Sequence, residues 1–311
     1  MIRAAFAVLV VLFLLETGVG GAARPPGWRT HAPLPEPRSE VAAAAAGGEV
    51  VVAGGFLADG TTSARVDAFK PATNSWRRLP DLPVAVNHAM AASDGRRVIV
   101  VGGYSGAIGA GQITRGAWIL TGARWSPLPA LPEGRAAGGA AVVAGRLYVV
   151  GGVAPGGLAT RTLVLHLGRL RWSTAPGPAP REHLAVTASQ ERIYAVAGRR
   201  AGIDTNVATV QSYVPGAKRW LTLPPVPSPR GGTGAAVASG RLLSIGGEEP
   251  NGTIPSVYEY DIAGRTWSQL PDMRTTRHGL GVVALGARVF AVAGGTVPGL
   301  SVSGATESIA P

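Results

Sequence analysis

No cysteine occurs in the 311 residues. That absence removes disulfides, thiolate metal ligands, cysteine nucleophiles and a lipid-modified N-terminal cysteine together, so the fold must be held by its own core. Lysine is nearly absent too: Lys70 and Lys218 are the only two, and the formal net charge of +11 rests on arginines. These are scattered singly or in pairs, without the clustered basic stripe of a nucleic-acid footprint, so nucleic acid is not an expected partner, and a compositional bias of the source genome explains the excess as well as function does. No Gly-x-Ser-x-Gly elbow, no phosphate loop ending in Lys and no His-Glu-x-x-His motif is present, which argues against hydrolase and nucleotide chemistry. Long apolar runs are confined to the start. Arg3, the unbroken run Ala4 to Leu15 and the small residues Gly20 to Ala23 have the layout of a signal peptide. The run is about a dozen residues against the roughly 20 that span a bilayer. Residues 1–23 are therefore expected to be cleaved, leaving 24–311 as a monomeric domain that is secreted, periplasmic or on the cell surface. Retention as a membrane anchor is the alternative.

Breakers are abundant: 45 Gly and 25 Pro fall at intervals between apolar runs, which suits short strands joined by tight turns rather than helices. They also mark a repeat. Trp28, Trp76, Trp125, Trp172, Trp220 and Trp267 recur every 47 to 49 residues, and each is followed 25 or 26 residues later by a small doublet. The doublets are Gly54-Gly55, Gly102-Gly103, Gly151-Gly152, Ala197-Gly198, Gly246-Gly247 and Ala293-Gly294. Nine or ten residues after each tryptophan stands Arg38, Val86, Arg135, Arg181, Arg230 or Arg277, and seven before stands Phe69, Trp118, Leu165, Tyr213 or Tyr260. Each unit reads as four short strands, for example Ala136 to Val143, Arg146 to Val150, Val257 to Tyr260, and a Trp strand after a turn such as Asp261 to Arg265. A single four-stranded sheet cannot cover both its faces, so radial stacking is the natural outcome. Trp28 has no doublet before it, and the last doublet is followed by a third-strand candidate, Thr306 to Ile309, but no tryptophan. The segment 27–30 is thus expected to supply the fourth strand of the last unit.

The doublet, the spaced aromatic and the tryptophan at a period near 48 resemble the Kelch repeat over residues 27–310, with Ala197, Ala293 and Leu165 as departures. The resemblance implies an all-β, six-bladed β-propeller with blades at about 38–80, 86–129, 135–176, 181–224, 230–271 and 277–310, of a bacterial-type exported kind. It further implies that the turns before the first strands and the loops after the doublets share one face around a central channel. The ring of Arg38, Arg135, Arg181, Arg230 and Arg277 is then the first ligand-binding candidate, since guanidinium forks suit carboxylate, sulfate or phosphate. The alternative is that these arginines bond carbonyls and hold blades together. His88, His183, Tyr104, Arg199 and Glu248 are further candidates, although the adjacent pair Glu248 and Glu249 reads more simply as solvated loop charge. His88, His183 and His278 lie near one end of the channel, but blades that alternate around a six-fold ring argue against a shared metal, and no cofactor is expected. His31 and His166 read as surface residues.

The repeats are similar to those of galactose oxidase, whose copper-radical chemistry needs a cysteine that is missing here. They are also similar to those of the bacterial sialic-acid mutarotases, without a motif that carries their catalytic residues onto this chain. The functional expectation is a non-enzymatic scaffold for a protein or an acidic glycan. The alternative is a mutarotase-like enzyme, which Glu40, Glu182 or Glu248 beside two of the ring arginines would favour.

Overall fold

The computed structural model describes Met1, residues 27–189 and residues 191–311; the expected signal peptide at 1–23 lies outside the described residues apart from Met1. Among the described residues there is no α-helix, only two 3-10 turns at Pro71–Thr73 and Ile203–Thr205. Six four-stranded antiparallel sheets account for the rest of the core. Blade 1 consists of Ala42–Ala46, Glu49–Ala53, Val66–Lys70 and Ser75–Leu79. Blade 5 repeats it with Gly234–Ala238, Arg241–Ile245, Val257–Asp261 and Thr266–Leu270. Blade 6 takes Gly281–Leu285, Arg288–Val292 and Thr306–Ile309, and its fourth strand is Arg29–Thr30 from the other end of the domain, paired with Ser308 and Glu307. The ring therefore closes as the unmatched tryptophan at one end and the unmatched doublet at the other implied, and the all-β six-bladed propeller is the observed architecture.

The second strands are near-continuous apolar runs because each is covered on both faces. In Glu49–Ala53, Val50 and Val52 face the blade 6 core while Val51 and Ala53 face the blade 2 core, the alternation a strand imposes. Six such clusters lie between successive blades. Each repeat tryptophan bridges outward: the indole Nε1 of Trp28, Trp76, Trp125, Trp172, Trp220 and Trp267 donates to a carbonyl of the preceding blade at 2.8 to 3.0 Å. Burying the ring while satisfying its one polar atom is what makes Trp the residue for this place.

Two local expectations are corrected. The first strand of blade 3 is Gly139–Val143, not Ala136 onward, because Ala136 bridges Val153 and Ala137 turns into the left-handed region at φ 52°. In blade 2 the residue opposite the tryptophan is Leu120, paired with Trp125, while the half-buried Trp118 lies opposite Pro127. A tighter hairpin, Thr121 against Arg124, shifts the register by two residues, which keeps the same face inward.

Candidate functional site

Three rows of the repeat meet at one end of the channel. The residue one past the arginine position bridges the residue just past the doublet in every blade: Ser39 with Phe56, Asn87 with Tyr104, Ala136 with Val153, Glu182 with Arg199, Gly231 with Glu248, His278 with Gly295. Two past the arginine position, Glu40, His88, Ala137, His183, Gly232 and Gly279 all adopt left-handed φ between 48° and 64°. Their peptides link head to tail around the axis: His88 N–H donates to Glu40 O at 3.0 Å, Ala137 to His88 at 2.9 Å, His183 to Ala137 at 2.7 Å, Gly232 to His183 at 3.0 Å and Gly279 to Gly232 at 2.9 Å. A residue with a side chain gives up roughly 1–2 kcal/mol in this conformation. Glycine meets the demand in two blades, whereas Glu40, His88 and His183 hold titratable side chains there, the kind of strain that collects at functional sites.

The arginine ring is not part of this surface. Arg38, Arg135, Arg181, Arg230 and Arg277 are each at most 1% exposed, so all five are corrected from ligand contacts to internal ties. Each bonds the carbonyl of the first doublet residue of its own blade, as Arg135 does to Gly151 at 3.0 Å and Arg277 to Ala293 at 2.7 Å. Each also reaches the start of the third strand, as Arg230 does at Ser256 O, 2.8 Å. Asp67 and Glu307 neutralise Arg38 and Arg277 from within the sheets. Burial draws Arg38, Arg181 and Arg230 down to about 10, which leaves them charged at neutral pH. The backbone of the same position ties the blades to one another: the second doublet residue donates to its carbonyl in the next blade at 2.8 or 2.9 Å, six times, including Gly55 to Val86 and Gly294 to Arg38. Valine can replace arginine in blade 2 because the inter-blade tie needs only the peptide.

What the mouth does bring together is a cluster of histidines, carboxylates and Arg199. His88 Nε2 stands 3.1 Å from His183 Nε2 and 3.3 Å from Glu40, and the other Glu40 oxygen is 3.2 Å from His278 Nδ1. Arg199 spans the cluster, with Nε on Glu182 at 3.0 Å, Nη1 on Glu248 at 2.8 Å and Nη2 on His183 at 2.9 Å. The expectation that alternate blades hold their histidines apart is overturned. The first strands crowd at the axis, and Ala137 of blade 3 leaves room for His88 and His183 to meet over it. Glu40, His88 and His183 present three ligand atoms within 4.8 Å of one another. Burial drives His88 down to about 4, so it is neutral at physiological pH. Burial resists the ionisation of Glu40, but the neighbouring histidines outweigh it and hold the carboxyl well below its ordinary range. Burial likewise pulls on His278, and hydrogen bonding and charge from Glu40, with Glu248, overcome it and raise the imidazole.

Glu248 is also corrected. It points inward at 3% exposure and accepts from Arg199 and from Gly299 N–H, while Glu249 points out to solvent, as adjacent residues on a strand must. None of Glu40, Glu182 and Glu248 pairs with a ring arginine, so the geometry that would favour a mutarotase is not formed. His31 and His166 are half-buried; His31 lies against Phe69 and Phe290, with ring centroids 5.4 and 5.5 Å away. Above the polar floor a cavity of about 390 Å³ opens to solvent, walled by Phe56, Tyr104, Ile108 and Leu300. Asn87, Phe56, Ile108 and Leu300 were not among the candidates. Asn87 and Phe56 occupy the same repeat rows as Glu182 and Arg199, which is the signal that could have found them, whereas Ile108 and Leu300 sit in loops of unequal length.

Residues 117–295 match the KLHDC2/KLHL20/DRC7 Kelch-repeats domain, and residues 37–83 match the Kelch motif. The chain is 31% identical over 255 residues to the Kelch-like protein terF of Aspergillus terreus, covering 73% of this chain and 54% of that one. It is 29% identical over 140 residues to mouse Kelch-like protein 35, covering 44% of this chain and 23% of that one, and 31% identical over 153 residues to human Kelch-like protein 33, covering 47% and 28%. The chain thus spans about half of the fungal relative and less of the other two. With the repeat rows, the six closed sheets and these matches together, the chain belongs to the Kelch-repeat family.

Proposed function

We propose that the chain is a non-catalytic binding propeller that takes a segment of a partner protein into the mouth cavity. One observation carries this reading: a cavity of about 390 Å³ with apolar walls and a few convergent polar groups at its floor, the composition of a recognition pocket. Ile108 is 51% and Leu300 36% exposed at its rim, apolar area that a bound segment would cover. The acidic-glycan alternative loses its support, because the five arginines it relied on are spent on carbonyls and the floor carries three carboxylates against Arg199. Export is a separate proposal that rests on Arg3 and the Ala4 to Leu15 run alone.

Selection of a displayed random-peptide library against the purified chain tests the reading, with a glycan array run in parallel. Peptides that bind wild type and are lost with Tyr104→Ala or Ile108→Asp support it. Glycans bound in their place, or peptides indifferent to both substitutions, overturn it.

A further inference from the structure

We propose that Glu40, His88 and His183 form a divalent-cation site of the zinc class at the floor of the mouth, with an open coordination position facing the cavity. This goes beyond the partner-binding reading and does not depend on it.

Hydrogen bonding fixes where the lone pairs point. Thr62 Oγ1 donates to Gly106 O, so it must accept from Asn87 Nδ2, 2.8 Å away. That orients the Asn87 amide with Oδ1 toward His88 Nδ1 at 2.7 Å, and Oδ1 can only accept. His88 is therefore protonated on Nδ1 and bears a lone pair on Nε2. His183 Nε2 accepts from Arg199 Nη2, which puts the His183 proton on Nδ1, facing Glu182 at 3.3 Å. His88 Nε2 and His183 Nε2 thus stand 3.1 Å apart, with the Glu40 carboxylate 3.3 Å from His88 Nε2. The Arg199 N–H that now occupies the His183 Nε2 lone pair stands where a cation would sit, shared by His183, the free His88 Nε2 lone pair and the Glu40 carboxylate. The Asn87 amide on the far nitrogen of His88 is the arrangement that orients a metal-binding imidazole, whereas His183 Nδ1 has the Glu182 carboxylate nearby without a hydrogen bond.

The separations fit the chemistry. Bonds of about 2.0–2.1 Å around a tetrahedral zinc place neighbouring ligand atoms roughly 3.3 Å apart. Two of the three edges here are 3.1 and 3.3 Å, and all three ligand atoms lie within 4.8 Å of one another. Two nitrogens with one carboxylate leave a fourth position, and Glu40, His88 and His183 all line the mouth cavity from which it would be filled. Arg199 would release His183 on cation binding while remaining held by Glu182 and Glu248.

The test is calorimetric titration of the untagged full chain with zinc chloride in a non-chelating buffer, alongside cobalt(II) titration read by visible absorption. Wild type is expected to bind one equivalent of zinc and to give the intense visible bands of tetrahedral cobalt. His88→Gly and His183→Gly should abolish both signals. Glycine already stands at the equivalent left-handed positions 232 and 279, so the ring accommodates it; Glu40→Gln gives a near-isosteric third variant should either fail to fold by circular dichroism. Asn87→Ala, which frees the His88 tautomer, should weaken binding roughly ten- to a hundredfold. Absence of stoichiometric binding to folded wild type, or binding that survives His88→Gly and His183→Gly, overturns the proposal.

Discussion

At the scale of the residue, backbone conformation decides which repeat positions can vary. The first member of each doublet has φ between 52° and 66°, and two blades carry alanine there, at Ala197 and Ala293. The second member has φ between 83° and 120° and is glycine in all six. An L-residue can enter the left-handed well near 60°, but it has no stable well near 100°. At Gly198 a Cβ would also lie 2.7 Å from Glu182 O. Gly198→Ala should therefore destabilise the protein by about 1–3 kcal/mol, while Ala197→Gly should stay within about 1 kcal/mol of wild type; urea midpoints distinguish the two, and equal losses would contradict the argument. His31 gives a pH-dependent counterpart. Burial lowers its pKa below 6.5, aided by Arg288 and Arg29 and opposed by Asn74. The folded state therefore favours neutral imidazole, so this contribution is present above about pH 6.5 and lost as pH falls toward the depressed folded value. Wild type should lose stability relative to His31→Gln between pH 7.5 and 5.5, and a constant gap between the two would remove the linkage.

At the scale of the element, the buried arginine is a staple within a blade. It ties the end of the second strand to the start of the third, where the ladder opens into the mouth loops. Arg277 is fully paired, with carbonyls of Ala293 and Ala305 and the 2%-exposed Glu307 as partners. Removing one member strands a buried charge, so Arg277→Met should cost about 3–5 kcal/mol. Arg277→Met with Glu307→Gln should cost less than the first substitution alone. A double mutant as unstable as the sum of the two singles would show that the pair does not act as a unit.

At the scale of the whole molecule, closure joins the two ends of the domain. Trp28 is 5% exposed within the last inter-blade core and donates to Pro271 O at 2.9 Å, and His31 N–H continues the pairing to Thr306 O at 2.9 Å. Trp28→Ala should cost about 3–5 kcal/mol by emptying that core. Deleting Pro25–His31 should leave an open edge on Thr306–Ile309 and a protein that aggregates by light scattering. A truncated chain with an unchanged melting temperature would mean that the ring does not depend on the closing strand.

By itself the sequence determined the architecture, because that rests on local rules repeated six times. A tryptophan, a doublet and an alternating run at one spacing force the same sheet to recur, and an unmatched tryptophan at one end forces closure with the other. The resemblance to the Kelch repeat also implied that the turns carrying His88 and His183 share a face with the loops carrying Arg199 and Glu248. The sequence did not reveal which way the arginines point, since a guanidinium beside the channel and one folded into its own blade have the same spacing. Nor did it show that His88 and His183 touch. That depends on the crowding of six first strands at the axis, on Ala137 giving way between them, and on the left-handed turn that aims each side chain inward. Those are properties of the closed ring, and only the tertiary structure decided them.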